Sequence, residues 1–388
     1  MKGDLMNRNI VTSVSEYIKV VTDNISDYLK QKKIVVFRGE CKDYKETSCV
    51  PNIFRQNVLY KNKKFEKNLF DEMTANNLSI GSTYLEKAIS AQHDGFPSRL
   101  LDVSYNCLVA LYFACTPYYH KPENEYDKDN GKVFIFGIEK MFCPTGENII
   151  NAYDKIINEN DKSFIKCQLF GKNHKLIDHI KTNKRIIAQQ GAFILFQGNE
   201  YEKIPSRLCK TIEIDGNSKH KIREELKVLF GIDTATIYPI AENFVDNMIK
   251  KSDFVDTSNF SLKNELNMIL YNLEKDFEYY IKTIFDEITK CKNKKYVSDK
   301  VVSLEYALKE YYLGCIELKE CVKNDDEKTP VLNNFIDMFN DTIYNNITFI
   351  NSRIKDLDVS IFADDFILRK NNGENDGKKL QQDSRRTE

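Results

Sequence analysis

Ile34-Val35-Val36-Phe37-Arg38-Gly39-Glu40 is the stretch on which the fold turns. A short run of β-branched and aromatic residues reads as a buried strand. Its last residues, Arg38-Gly39-Glu40, are expected to leave the sheet. A guanidinium at the end of a buried strand is costly unless it is paired. It can hold a phosphate or a carboxylate through two parallel hydrogen bonds. Gly39 beside it lets a ligand or a second chain segment come close to the backbone. The structural alternative is an internal ion pair that ties the strand to a loop.

Upstream of that strand, Val11, Val14, Ile18, Val21, Ile25 and Leu29 recur at helical spacing, which predicts an amphipathic helix from about Asn9 to Leu29. Downstream, Pro51 opens a helical region that continues through Phe65, Leu69 and Met73. Another helix runs from Tyr84 toward Gln92 and is broken by Gly95-Phe96-Pro97-Ser98-Arg99. Leu108 to Ala114 is apolar throughout and reads as a buried helix. Further strands are predicted at Lys132–Phe136, Ala192–Phe196 and Lys210–Ile214, followed by a helix from Lys219 to Phe230.

From about Ser261 the pattern changes. Three stretches, beginning at Leu266, Val301 and Leu332, carry apolar residues at steps of three and four. They predict helices packed along one seam. The expectation is therefore an α+β domain with a mixed sheet at 1–251, an all-α helical bundle at 252–369, and a polar tail at 370–388 that is disordered.

The chain has 388 residues, of which 41% are hydrophobic and 30% charged, with a net charge of -1. That length exceeds one ordinary core, so two domains are expected. The balanced charge gives no global pull toward nucleic acid or a membrane surface, and most lysine-rich runs read as solvated faces. The 10 cysteines form no CxxC pair and no zinc-ligand spacing, so no metal is expected. No apolar run is long enough to span a bilayer, and the first residues carry no apolar core of a secretory signal. A cytoplasmic protein with free thiols is the expectation.

The densest chemistry lies in Ala91-Gln92-His93-Asp94-Gly95-Phe96-Pro97-Ser98-Arg99-Leu100-Leu101-Asp102. An amide, an imidazole, a hydroxyl, a guanidinium and a carboxylate crowd a Gly/Pro bend at the edge of a core. Such groups need partners, so they form either a binding pocket or a satisfied structural network. Walker A, GxGxxG, HExxH and GxSxG patterns are absent.

Phe37-Arg38-Gly39, then Pro51 and Phe54-Arg55, then Ala91 to Ala114 in that order resemble the FRG domain family. Ala188-Gln189-Gln190-Gly191-Ala192-Phe193 is similar to a later element of that family, and Lys210 to Pro239 to its closing region. The resemblance covers about the first two-thirds of the chain. Ser98 stands where Thr is common, Asp94 where an aromatic is frequent, and Val103 where Trp is common. A more distant analogy with ADP-ribosyltransferases implies NAD- or nucleotide-processing chemistry. On that analogy Arg38, Ser98 and Gln190 are the catalytic set. Arg38 grips the NAD pyrophosphate or ribose, Ser98 orients the nicotinamide ribose, and the third element stabilises an oxocarbenium-like transition state. Gln190 is neutral, however, where that last role wants a carboxylate. Gly39, Gln92, His93, Arg99 and Asp102 are then the ligand-binding residues.

The resemblance further implies a role in bacterial stress or phage defence. A protein partner engaging the C-terminal helices, which lie beyond the resemblance, is a separate expectation. The competing expectation is a non-catalytic module for a phosphate-bearing ligand or nucleic acid. In a third reading the motif residues only tie loops to the sheet.

Overall fold

The computed structural model describes residues 10–55, 59, 62, 64–78, 81–93, 95–158, 167–179, 184–255, 257, 260–290, 294–322, 329–354 and 367–368. The chain divides into two compact units, Met1–Val255 and Asp256–Glu388.

The first unit is built on one mixed sheet. Its strands are β1 (Ile10–Val11), β2 (Ile34–Glu40), β3 (Leu100–Ser104), β4 (Gly131–Ile138), β5 (Met141–Phe142), β6 (Lys175–Ile177), β7 (Gly191–Leu195) and β8 (Cys209–Ile214). Their order is β1-β8-β4-β2-β3-β7-β6-β5. The central neighbours are antiparallel, and only the edge pairs β1–β8 and β5–β6 are parallel. With its flanking helices this unit is α+β.

The first predicted helix begins later than its apolar spacing suggests. Ile10 and Val11 pair with β8, and the helix spans Val14–Lys30. Ser13 explains the boundary: its side chain accepts the backbone N–H of Glu16 and caps the helix.

The end of β2 also departs from expectation. Arg38, Gly39 and Glu40 stay in the sheet, paired with Phe134, Val133 and Lys132 of β4. It is the other neighbour that parts from them. β2 and β3 pair only at Phe37 and Ser104, so the sheet opens between these two strands. β3 itself was concealed in the motif, because a five-residue strand directly after a Gly/Pro bend shows too little alternation to stand out.

The helix Cys107–Cys115 packs on β2 and β4. It is apolar on all sides and largely buried, as a helix inside a core must be. Asn106 caps it by accepting the N–H groups of Leu108 and Val109. Two glycines set its distance from the sheet. A Cβ on Gly39 would lie 1.8 Å from the Ala110 carbonyl oxygen, and one on Gly131 would lie 2.1 Å from that of Ala114. The close approach that Gly39 permits is thus that of a second chain segment.

A separate apolar cluster joins the helices Phe65–Ala75, Tyr84–His93 and Glu147–Asn158 to Leu100, Phe193 and Leu195 of β3 and β7.

The second unit holds the helices Leu262–Lys290, Lys294–Val322 and Thr329–Ile354, each in contact with the other two. Leu266, Leu270, Phe335, Phe339, Ile343 and Ile347 are buried there, at the spacing read from the sequence. The tail at 370–388 lies outside the described residues.

Candidate functional site

The opening between β2 and β3 is spanned by one side chain. Arg38 Nη1 donates to the backbone carbonyl of Asp102 at 2.8 Å, and Arg38 Nε donates to Glu40 Oε1 at 3.3 Å. The Arg38 side chain is 19% exposed and that of Glu40 only 2%. Burial works to lower the Arg38 pKa, but the charges of Glu40 and its neighbours prevail and hold it above the ordinary arginine value. Glu40 Oε1 also accepts the N–H of Cys49 at 2.9 Å. Its second oxygen, Oε2, is buried and has no hydrogen-bond partner.

A cleft of about 330 Å³ lies at this opening. Phe37–Cys41 of β2 and its end line one side, and Asp102–Ser104 of β3 line another. Arg55, Arg185, Tyr44 and Tyr238 complete much of the wall. Arg55 donates through Nε to the Val50 carbonyl at 2.8 Å. Burial, followed by the nearby charge of Arg38, lowers its pKa. Two guanidiniums close enough to repel each other favour an anion between them. The Arg185 guanidinium lies 4.6 Å from the Tyr238 ring centroid, within cation–π range.

Asp102 presents an exposed carboxylate to the cleft, held by a two-step relay. Gln92 Nε2 donates to Asp102 Oδ2 at 2.8 Å. The buried Ser98 hydroxyl donates to Gln92 Oε1 at 2.7 Å. Ser98 Oγ in turn accepts the Leu100 N–H at 3.2 Å, so its own proton is free for Gln92. This directs the Gln92 amide oxygen toward Ser98 and its NH2 toward the carboxylate.

Arg38, Gly39, Gln92 and Asp102 therefore share the cleft wall. Ser98 stands one layer behind, with no exposed surface. Arg99 is directed elsewhere. It is 1% exposed and donates from Nε to Glu66 Oε2 at 2.5 Å and from Nη1 to the Gly198 carbonyl at 3.0 Å. Tyr153 donates its hydroxyl to Glu66 Oε1 at 2.7 Å, and burial followed by the Glu66 charge raises its pKa well above the ordinary value. The Arg99–Glu66–Tyr153 group ties the start of β3 to two helices. Gln190 is exposed at a turn with φ of 47°, and its carbonyl accepts the Tyr105 N–H. Its neighbour Gln189 lines the cleft instead. His93 ends the helix Tyr84–His93, and its side chain lies outside the described residues.

Residues 33–123 match the family model of the FRG domain. The chain carries an FRG domain. No curated protein and no solved structure matches the chain. The matched segment holds β2, the Ser98–Gln92–Asp102 relay, Glu40 and Arg55. Arg185, Gln189 and Tyr238 lie beyond it yet line the same FRG cleft.

Reading the sequence singled out Arg38 and Asp102 but passed over Glu40, Arg55, Arg185 and Tyr238 as site residues. Glu40 could have been found. It sits two residues from Arg38, the spacing that puts strand side chains on one face. Arg55 stood in the quoted Phe54-Arg55 block. Arg185 and Tyr238 carry no local signal, because only tertiary folding brings them to the cleft.

Among the described residues no helix is long and apolar enough to cross a membrane, and no three His, Cys, Asp or Glu side chains are grouped to hold a metal ion. Described cysteines such as Cys41, Cys49 and Cys115 form no disulfide.

Proposed function

We propose that the FRG cleft binds a nucleotide, with NAD as the substrate on which it acts as an ADP-ribosyltransferase or glycohydrolase. One observation carries this reading: a held but exposed carboxylate, Asp102, faces the same cleft as the Arg38 and Arg55 guanidiniums. Guanidiniums suit phosphate oxygens. The ring of the half-buried Tyr44 offers an apolar face for a base or a nicotinamide. The cleft volume falls within the range usual for small-ligand sites.

The chemistry that fits is cleavage of the bond between ribose C1′ and the nicotinamide nitrogen. The bonding electron pair leaves with nicotinamide, which becomes neutral, and positive charge develops on the ribose. The Asp102 carboxylate is placed to oppose that charge, which answers the neutrality of Gln190. Water or an acceptor hydroxyl then adds at C1′, and its proton passes to the Asp102 carboxylate and on to solvent. In this reading Ser98 and Gln92 are positioning residues, and Arg99 maintains the scaffold.

Calorimetry with NAD, ADP-ribose and short oligonucleotides, followed by a nicotinamide-release assay, tests the proposal. Binding of NAD that is lost in Arg38→Ala, with release that is lost in Asp102→Asn, is the expected result. Binding without release supports a non-catalytic nucleotide module. Oligonucleotide binding that ignores Arg38 and excludes NAD overturns the reading.

A further inference from the structure

Glu40 is a buried carboxylate whose two oxygens are unequally served. Oε1 accepts both the Arg38 Nε–H and the Cys49 N–H, whereas Oε2 has no partner. A carboxylate oxygen removed from water without a donor is costly, and such groups in a folded protein call for an explanation. Two of the surrounding donor atoms are engaged elsewhere. Arg38 Nη1 is engaged by the Asp102 carbonyl and Arg55 Nε by the Val50 carbonyl. Glu40 lines the cleft, so a ligand seated there can supply the donor that Oε2 lacks.

Charge narrows what that donor can be. A phosphate offers acceptor oxygens and is repelled by a carboxylate, so the anionic part of a ligand belongs with the guanidiniums. The group that meets Glu40 has to be a hydroxyl or N–H donor, and on the sugar-phosphate part of a nucleotide the hydroxyl is the donor. In a nucleotide, the hydroxyl adjoining the phosphate-bearing carbons is that of the sugar.

We infer that Glu40 is a specificity-determining residue that accepts a ribose hydroxyl of the ligand on Oε2, so that the cleft selects ribonucleotides over deoxyribonucleotides and over phosphate alone. This rests on the nucleotide reading above and adds to it the sugar that is recognised. It also assigns Glu40 a role separate from that of Asp102. Glu40 is enclosed and reads a donor, whereas Asp102 is exposed and held for charge or proton work.

The test is titration calorimetry on the full chain with AMP, 2′-deoxy-AMP, 3′-deoxy-AMP and inorganic phosphate. Wild type is expected to favour AMP over at least one deoxy analogue by about tenfold or more, since a site built for a hydroxyl is left with an unpaired group when it is missing. Glu40→Gln keeps an acceptor for the Cys49 N–H but presents an amide donor at the Oε2 position. It should bind AMP and both analogues within about threefold of one another. Glu40→Asp withdraws the oxygen while keeping its charge, and serves as the second variant should the glutamine fail to fold. It too should lose the preference. Wild type that binds AMP and both deoxy analogues equally, or a folded Glu40 variant that keeps the preference, overturns this inference and leaves nucleotide binding standing. Wild type that binds no nucleotide removes both.

Discussion

Arg38 on β2 and Asp102 on β3 meet through a backbone carbonyl, at 2.8 Å, at the place where their strands separate. The guanidinium thus closes the sheet where the ladder does not, and it leaves the Asp102 carboxylate free for Gln92. The ionic partner of Arg38 is Glu40, on its own strand.

Arg38→Ala should therefore destabilise the protein through Glu40. Removing the guanidinium strands a carboxylate that is 2% exposed, which costs about 3 kcal/mol. Asp102→Ala should cost about 1 kcal/mol or less, because Arg38 uses the carbonyl and only the Gln92 amide loses a partner. Urea denaturation of Arg38→Ala, Glu40→Gln and the double variant measures the coupling. Additive losses would show that the two side chains do not act as a pair.

Arg99→Ala should be far more damaging to stability than Asp102→Ala. Its partner Glu66 is equally enclosed, so truncation leaves a buried charge and should cost about 3–5 kcal/mol. The Tyr153 hydroxyl would remain as a donor to Glu66 but cannot neutralise it. A thermal melt showing an unshifted midpoint would contradict the buried pair.

Gly39→Ala tests why the FRG arginine is followed by glycine. The added Cβ would meet the Ala110 carbonyl and force the helix Cys107–Cys115 off the sheet, at a cost of about 3 kcal/mol or more. Gly95→Ala is the comparison. Its Cβ meets nothing within 4 Å, but its φ of +81° strains any larger residue, for a loss of about 1 kcal/mol. Equal losses at the two sites, read by chemical denaturation, would rule out the packing explanation at Gly39.

The parts of this fold that were legible in sequence are those with enough length or regularity. The helix Lys219–Phe230 and the apolar helix after Asn106 declared themselves, as did the ends of β4 and β8 to within a few residues. β1 is two residues long and β3 begins at a bend, so neither shows a period. The site divides in the same way. Arg38, Gln92 and Asp102 lie in two dense local motifs. Arg185 and Tyr238 come from remote segments, and nothing in their neighbours marks them. Arg99 shows the opposite error. It stands within the motif, yet its side chain is enclosed with Glu66, a residue that no local pattern connects to it.

Ser98→Ala should lower turnover more than affinity. Its hydroxyl orients the Gln92 amide, which holds the Asp102 carboxylate. Losing one such bond costs about 1 kcal/mol, or a few-fold in rate if all of it falls on the transition state. Ser98→Thr keeps the hydroxyl and should restore the rate. If nicotinamide release is the reaction, kcat falls in the alanine variant with KM nearly unchanged. An unchanged kcat in Ser98→Ala would detach the relay from catalysis.

The sharpest dependence on pH should come from His174, remote from the relay. Its ring packs 4.3 Å from the Phe196 ring, and burial pushes its pKa down from 6.5 to about 4. The backbone groups of Lys203 and Glu202 and the Glu202 charge act in the opposite sense and do not prevail. The unfolded chain then binds the proton more readily than the folded one. Stability is complete above pH 6.5 and falls as the pH drops from 6.5 through 4, where the loss levels off. Carboxylates titrate near the lower end of that window, so the wild-type curve alone is not diagnostic. His174→Phe retains the apolar contact and removes the titration. Its advantage over wild type, measured by urea denaturation, should grow steadily from pH 6.5 to pH 4. Parallel curves across that interval would mean that His174 is no more reluctant to be protonated when folded than when unfolded.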